Sequence, residues 1–189
     1  MNIIFKKMNF DKTLLYFLKD KNYYKQNDCH MNSYSKFFEK NFKEVEHRES
    51  DFSYITGLII FTKGEKKYCV VHSWVEDRGM VIDTTSLANS QLAFSSYPTS
   101  KLILESKKLI NDYISYVPYF VISNVDLTKK IQELFIESNY IKEKTARAIE
   151  AYLKSICDCV ANDSGFLCSI REKYGYEFKQ EDFMIGINL

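Results

Sequence analysis

Tyr68-Cys69-Val70-Val71-His72-Ser73-Trp74-Val75-Glu76-Asp77-Arg78-Gly79-Met80-Val81-Ile82-Asp83-Thr84-Thr85 reads as a strand, a tight turn and a second strand. The first part is dense in β-branched and aromatic residues, which fit a pleated, half-buried surface. Asp77-Arg78-Gly79 carries turn chemistry, and Met80 to Thr85 resumes the strand character. With Asp77 and Arg78 as a two-residue loop, Glu76 faces Gly79 and His72 lies opposite Asp83. Directly opposite residues hold their Cβ atoms about 4.5–5.5 Å apart, within hydrogen-bonding reach for an imidazole and a carboxylate. That pair is the base and orienter of a nucleophilic site. If Gly79 instead takes the left-handed position of a three-residue loop, the register slips by one and Ser73 faces Asp83, unless a further bulge restores the pairing.

Upstream, Phe52 to Thr62 reads as a strand, and Gly57 in its middle signals a bulge or a close backbone approach. Lys63-Gly64-Glu65-Lys66 turns the chain into the His72 strand, giving an antiparallel meander of at least three strands. Tyr68, Val70, His72, Trp74 and Glu76 share one face of that strand; Cys69, Val71, Ser73 and Val75 share the other. Both faces are largely apolar, as in a central strand. Cys69 is then a buried small hydrophobe. Trp74, two residues from His72 on the same face, can wall the site and shield the imidazole while serving as a core aromatic.

The nucleophile has to come from elsewhere. Asn27-Asp28-Cys29-His30-Met31-Asn32-Ser33 offers Asn27 or Asp28 as a helix N-cap, which places Cys29 in the first helical turn. Free N–H groups and the helix dipole favour a thiolate there, and the same N–H groups can stabilise an oxyanion. The side-chain amide of Gln26 or Asn27 can supply a second oxyanion donor. His30 adjoins Cys29, and neighbours on a helix do not face each other, so it is a poor base for this thiol. Asn32 lies one turn on and can hold the helix start in place. His47 sits in a charge-rich, solvated segment.

Residues 9–20 read as a first helix with Leu14, Leu15 and Leu18 on one face. Leu87 to Ser100 is polar and serine-rich and reads as a surface loop bordering the cleft. Lys101 to Ile114 is an amphipathic helix with Leu102, Leu109 and Ile110 inward. Tyr116 to Ser123 is a strand that Pro118 confines to an edge or to the strand's start. From Asn124 the pattern is helical: Asp126 caps a helix to about Ser138, a second runs from Ile141 to about Val160, and Phe183 to Leu189 is an apolar segment that docks in the core. The expected fold is α+β, with N-terminal helices on a small antiparallel sheet over residues 1–123 and a helical extension over residues 124–189.

The chain has 189 residues, of which 46% are apolar and 27% charged, enough for a globular core rather than a disordered chain. Net charge is +1 with lysine pairs scattered among acids, so no nucleic-acid surface is expected. The five cysteines, at 29, 69, 157, 159 and 168, make no repeating framework, and Cys157, Cys159 and Cys168 fit no zinc spacing. No metal or cofactor is expected. The first residues lack the apolar core of a secretory signal, and no apolar run has the length of a membrane span. A reducing cytoplasm and no membrane partner are the expectation; the oligomeric state is left open.

A cysteine at a helix start, then the His72-Ser73-Trp74 strand, then Val81-Ile82-Asp83-Thr84-Thr85 resembles the papain-like and transglutaminase-like cysteine-hydrolase superfamily. The His-x-Trp strand followed by Asp-Thr is most similar to the transglutaminase-like branch, and Tyr54-Ile55-Thr56-Gly57 resembles the strand that precedes the histidine there. The likeness covers roughly residues 26–85, and the Cys29 segment lacks the aromatic that commonly follows the nucleophile in transglutaminases. The resemblance implies Cys29 as nucleophile, His72 as base and Asp83 as orienter. The expected function is a cysteine-dependent hydrolase or acyltransferase acting on a peptide or side-chain amide, with a protein or peptide as substrate. The alternative is an inactive protein-binding module on the same fold, using the helical third and the apolar tail.

Overall fold

The computed structural model describes residues 3–20, 29, 31–34, 52–63, 65–93 and 95–178. Strands β1 (Phe52–Lys63), β2 (Lys66–Asp77) and β3 (Met80–Ile82) form the antiparallel meander. β1 and β2 pair without interruption from Phe52↔Asp77 to Lys63↔Lys66. Strand β4 (Ile114–Ser123) adds beyond β1, so the strand order is β3-β2-β1-β4. A short β5 (Glu177–Phe178) runs parallel to β2 at Tyr68 and Cys69. The fold is α+β, and β2 lies inside the sheet as its two apolar faces require.

Seven helical segments are placed among the described residues: α1 (Phe10–Asp20), α2 (Cys29 and residues 31–34), α3 (Thr84–Ala93), α4 (Thr99–Tyr113), α5 (Asn124–Glu137), α6 (Lys142–Asn162) and α7 (Ser164–Tyr174). The pleat sorts them onto two faces. On one side Ile55, Ile59, Val70 and Trp74 pack with Phe10 and Phe17 of α1, Leu87 of α3, and Leu109 and Ile110 of α4. On the other side Phe52, Tyr54 and Val75 pack with Leu127, Ile131 and Leu134 of α5 and with Ile149, Leu153 and Ile156 of α6. Further along that face, Leu58, Ile60, Cys69 and Val117 pack with Val160, Phe166 and Ile170. Each such side chain contributes about 1.5–3 kcal/mol on full burial, so the C-terminal helices are a structural layer of the sheet rather than a projecting arm.

Several local expectations are corrected. In α1 the inward positions are Phe10, Thr13 and Phe17 with Leu14 beside them, while Leu15 and Leu18 face solvent. The phenylalanines, spaced i and i+7, outweigh the leucines because their larger apolar area gains more from burial. The segment after Leu87 is no surface loop as far as Ala93: α3 occupies it, with Ser86, Leu87 and Ser90 fully buried. Its small side chains let the helix lie close to α1 and α4. The cap of α5 is Ser123, whose Oγ accepts from the Asp126 N–H at 3.1 Å; Asp126 accepts in return from Ser123 Oγ at 2.6 Å. Asp126 is thus the third helical residue, bonded to the cap through the Ser123 hydroxyl, and not the cap itself. Helix α7 was not foreseen. Asp163 caps it through the Phe166 N–H at 2.9 Å, and Gly175, at φ 72°, ends it. The apolar segment 183–189 lies outside the described residues.

Gly57 meets both expectations placed on it. The β1–β4 register shifts between Thr56 and Gly57, and a Cβ there would stand 2.1 Å from the Val117 carbonyl oxygen and 3.0 Å from the Trp74 ring. Because the obstacle is backbone, it cannot swing aside. Gly57→Ala should therefore lower stability to urea by about 3 kcal/mol. Gly165→Ala, whose Cβ would meet nothing closer than 3.4 Å, should change it by less than about 1 kcal/mol. Equal losses in the two variants would show that Gly57 is not closely approached.

Candidate active site

Arg78 and Gly79 both have positive φ, 53° and 75°. Two consecutive left-handed residues make the turn type whose twist matches a two-residue hairpin. The loop is therefore Arg78-Gly79 rather than Asp77-Arg78, and the flanking pairs are Asp77↔Met80, Glu76↔Val81 and Val75↔Ile82. His72 and Asp83 are consequently not directly opposite. The register moves by two positions, and an even shift keeps Asp83 on the face of His72 and Trp74. β3 ends at Ile82, and Thr84 and Thr85 belong to α3 rather than to the strand. Asp83 is the joint between the two elements. Its Oδ1 accepts from the Thr85 N–H at 3.1 Å and the Ser86 N–H at 3.0 Å, which caps α3.

The other carboxylate oxygen faces the site. Oδ2 lies 2.8 Å from His72 Nε2 and accepts from Tyr116 Oη at 2.8 Å and from Ser86 Oγ at 2.5 Å. Asp83 is 1% exposed. Burial alone would raise its pKa, but the His72 charge and the hydrogen bonds from His72 and Ser86 hold the carboxyl below the usual range. Burial likewise works against a charged His72. The Asp83 carboxylate, and then the Cys29 thiolate, outweigh it and bring the imidazole up to about 10. Tyr116 is pushed well above the usual phenol range, by burial first and then by the Asp83 charge, so it stays a donor.

Cys29 hydrogen-bonds the His72 ring. With Nε2 taken by Asp83, the nitrogen left for sulfur is Nδ1. The helix that carries Cys29 is tied down twice by buried contacts: Asn32 Nδ2 donates to Thr85 Oγ1 at 2.9 Å, and Ser33 Oγ donates to the Ser73 carbonyl at 2.9 Å. The second contact depends on the shortness of β3. That strand stops opposite Val75, and beyond it the Ser33 hydroxyl, not a strand, meets the Ser73 carbonyl. Cys29 itself is half-buried. Burial pushes the Cys69 and Cys157 thiols up to about 12, although Cys157 is as partly exposed as Cys29.

Trp74 lies beneath the imidazole, with ring centroids 6.4 Å apart and planes 16° from parallel, and meets Tyr116 edge-on at 5.2 Å. It is fully buried, so it backs the imidazole from the core side. Cys29, His72 and Asp83 are thus brought together, with Trp74 against them. Gln26 and Asn27 lie outside the described residues, as do His30 and His47. Among the described residues, no group of three or more His, Cys, Asp or Glu is placed to hold a metal ion, and no helix is long and apolar enough to cross a membrane.

Three partners escaped the sequence reading: Ser86, Tyr116 and Ser33. For Ser86 a signal existed, because Asp83 followed three residues later by serine is cap chemistry. Tyr116 had none, since it arrives from β4, separated from β2 by the whole width of β1.

The raised His72 and lowered Asp83 values fix how stability depends on pH. A group whose folded pKa is raised stabilises fully below its unfolded value, about 6.5 for histidine, and loses that contribution as pH climbs towards the folded value. The Asp83 contribution is present above about 3.9 and lost as pH falls. The stability difference between wild type and Asp83→Asn should therefore be widest near pH 5–6 and narrow steadily towards pH 10, as read by urea unfolding. A difference independent of pH would contradict the buried ion pair.

Compared with protein-family models, with curated proteins and with solved structures, the chain matches none.

Proposed function

We propose that the protein is a cysteine-dependent hydrolase or acyltransferase with a papain-like or transglutaminase-like core, acting on a peptide bond or side-chain amide. The observation that carries this reading is the continuous hydrogen-bonded run from Cys29 through His72 to Asp83, built on three separate elements and ending at a half-exposed thiol. The Cys29 thiolate attacks the carbonyl carbon. The Cys29 N–H receives the oxyanion, with Gln26 or Asn27 as second donor. The imidazolium passes its Nδ1 proton to the leaving amine, and the C–N bond breaks. Water then resolves the thioester in a hydrolase, or an acceptor amine does so in a transferase. Thiolate chemistry needs a reducing compartment, and we assign the cytoplasm. The partner is a protein or peptide substrate.

An imidazolium beside the sulfur favours the thiolate at pH values where an ordinary thiol, with a pKa near 8.5, is protonated. Iodoacetamide should therefore modify Cys29 below neutral pH, at a rate at least about tenfold above that of the exposed thiols Cys159 and Cys168, with each site followed by mass spectrometry. His72→Ala should abolish the advantage. If Cys29 reacts no faster than those surface thiols in both proteins, the enzyme reading fails and the inactive binding module takes its place.

A further inference from the structure

Asp83 Oδ2 accepts three hydrogen bonds, and only the one from His72 Nε2 is needed to orient the base. The bond from Tyr116 comes at a structural cost. A phenol from the far edge strand, on the same face of the sheet, is fully buried, and it reaches the carboxylate past the edge of Trp74. A cap and a histidine would already satisfy most of the lone-pair sites of a carboxylate, which number about four. Here five donors converge, three of them on the oxygen that faces the imidazole.

Donors on one oxygen share its charge. Each hydroxyl that draws on Oδ2 leaves less negative potential for the neighbouring imidazolium. A carboxylate bound by His72 alone would hold the imidazolium proton more firmly. A catalytic acid works best when its affinity for the proton is near that set by the operating pH. We infer that the Tyr116 hydroxyl, with that of Ser86, is a positioning group that draws charge from Asp83 Oδ2 and so keeps the His72 imidazolium able to release its proton to the leaving amine. The inference rests on the cysteine-hydrolase reading for its purpose but not for its measurable content.

Among the described residues, the groups around His72 are few. Asp83 meets it from the joint of β3 and α3, Cys29 from α2, and Tyr116 from β4 at 6.5 Å between ring centroids. Glu76, two residues beyond Trp74 on the same strand, is engaged by Lys6 Nζ at 2.5 Å and by Trp74 Nε1 at 3.4 Å. Removing the Tyr116 hydroxyl therefore leaves Asp83 as the group that changes.

The test is the His72 titration by nitrogen-15 NMR, with its resonances assigned by their loss in His72→Gln. Tyr116→Phe keeps the ring and removes the hydroxyl, and should raise the His72 midpoint by about half a unit or more. Ser86→Ala removes the neighbouring donor on the same oxygen and should move the midpoint in the same direction. It keeps the question answerable if Tyr116→Phe does not fold. Tyr54→Phe is the control: Tyr54 is also fully buried, but its Oη faces the Ser73 and Thr56 hydroxyls rather than Asp83, so the midpoint should stay in place. An unchanged or lowered midpoint in Tyr116→Phe overturns the inference, as does an equal rise in Tyr54→Phe. In Ser86→Ala, an unchanged or lowered midpoint overturns it too. The midpoint shift is readable whether or not Cys29 proves to be a nucleophile, so the two readings can fail separately.

Discussion

Asp83 carries a buried negative charge, and the surrounding structure is arranged to keep it charged. Moving a carboxylate out of water costs several kcal/mol unless its lone pairs are answered. Here two backbone N–H groups of α3 answer one oxygen, while His72, Ser86 and Tyr116 answer the other. The donors come from β2, α3 and β4, so one side chain fixes the distance between a central strand, a helix start and an edge strand. Thr85, whose N–H serves Asp83, also accepts from Asn32 on α2 through its hydroxyl. The same residue thus links the carboxylate to the helix that carries the thiol.

The strand lengths matter as much as the charges. β3 is three residues long and covers only the end of β2. A longer β3 would pair with Ser73 and close the edge. Its early stop gives the Ser73 carbonyl to Ser33, and α2 lies where a strand would otherwise continue. Trp74 then supports the imidazole from beneath, and Gly57 makes room for its ring, with a Cβ position 3.0 Å from it. A site held by strands, a helix cap and a packed indole can keep its geometry while a substrate binds, which loop-borne groups do less well.

The part of the site legible in the sequence was the part governed by alternation. His72, Trp74 and Asp83 share a face under any even register, so misplacing the turn by one residue, which moves the pairing by two, left that conclusion intact. Gly57 was legible because a glycine in a central strand has few explanations. Residues 84–93 were misread because threonine and serine suit strands, loops and the first turn of a helix alike. Only the backbone N–H groups that gather on Asp83 decide in favour of the helix. The buried face of α1 turned on side-chain size, which a binary pattern does not weigh. Tyr116 reaches Asp83 across a sequence separation of 33 residues, and nothing local in a chain records such a meeting.

The thiols favour the proposed function over a purely structural role for this cluster. Cys69 and Cys157 show what burial does to a thiol in this protein: it drives them up to about 12 and leaves them protonated. Cys29, as partly exposed as Cys157, alone has the imidazole as a partner. A buried ion pair is a poor way to hold a fold together, since apolar residues of similar volume often serve as well or better. A structural histidine would also be satisfied by one acceptor, without a saturated carboxylate behind it and a thiol in front. Five donors on Asp83 keep the carboxylate charged while limiting its hold on the His72 proton, which is what the proposed function, a thiolate that attacks and an imidazolium that gives up its proton, would require.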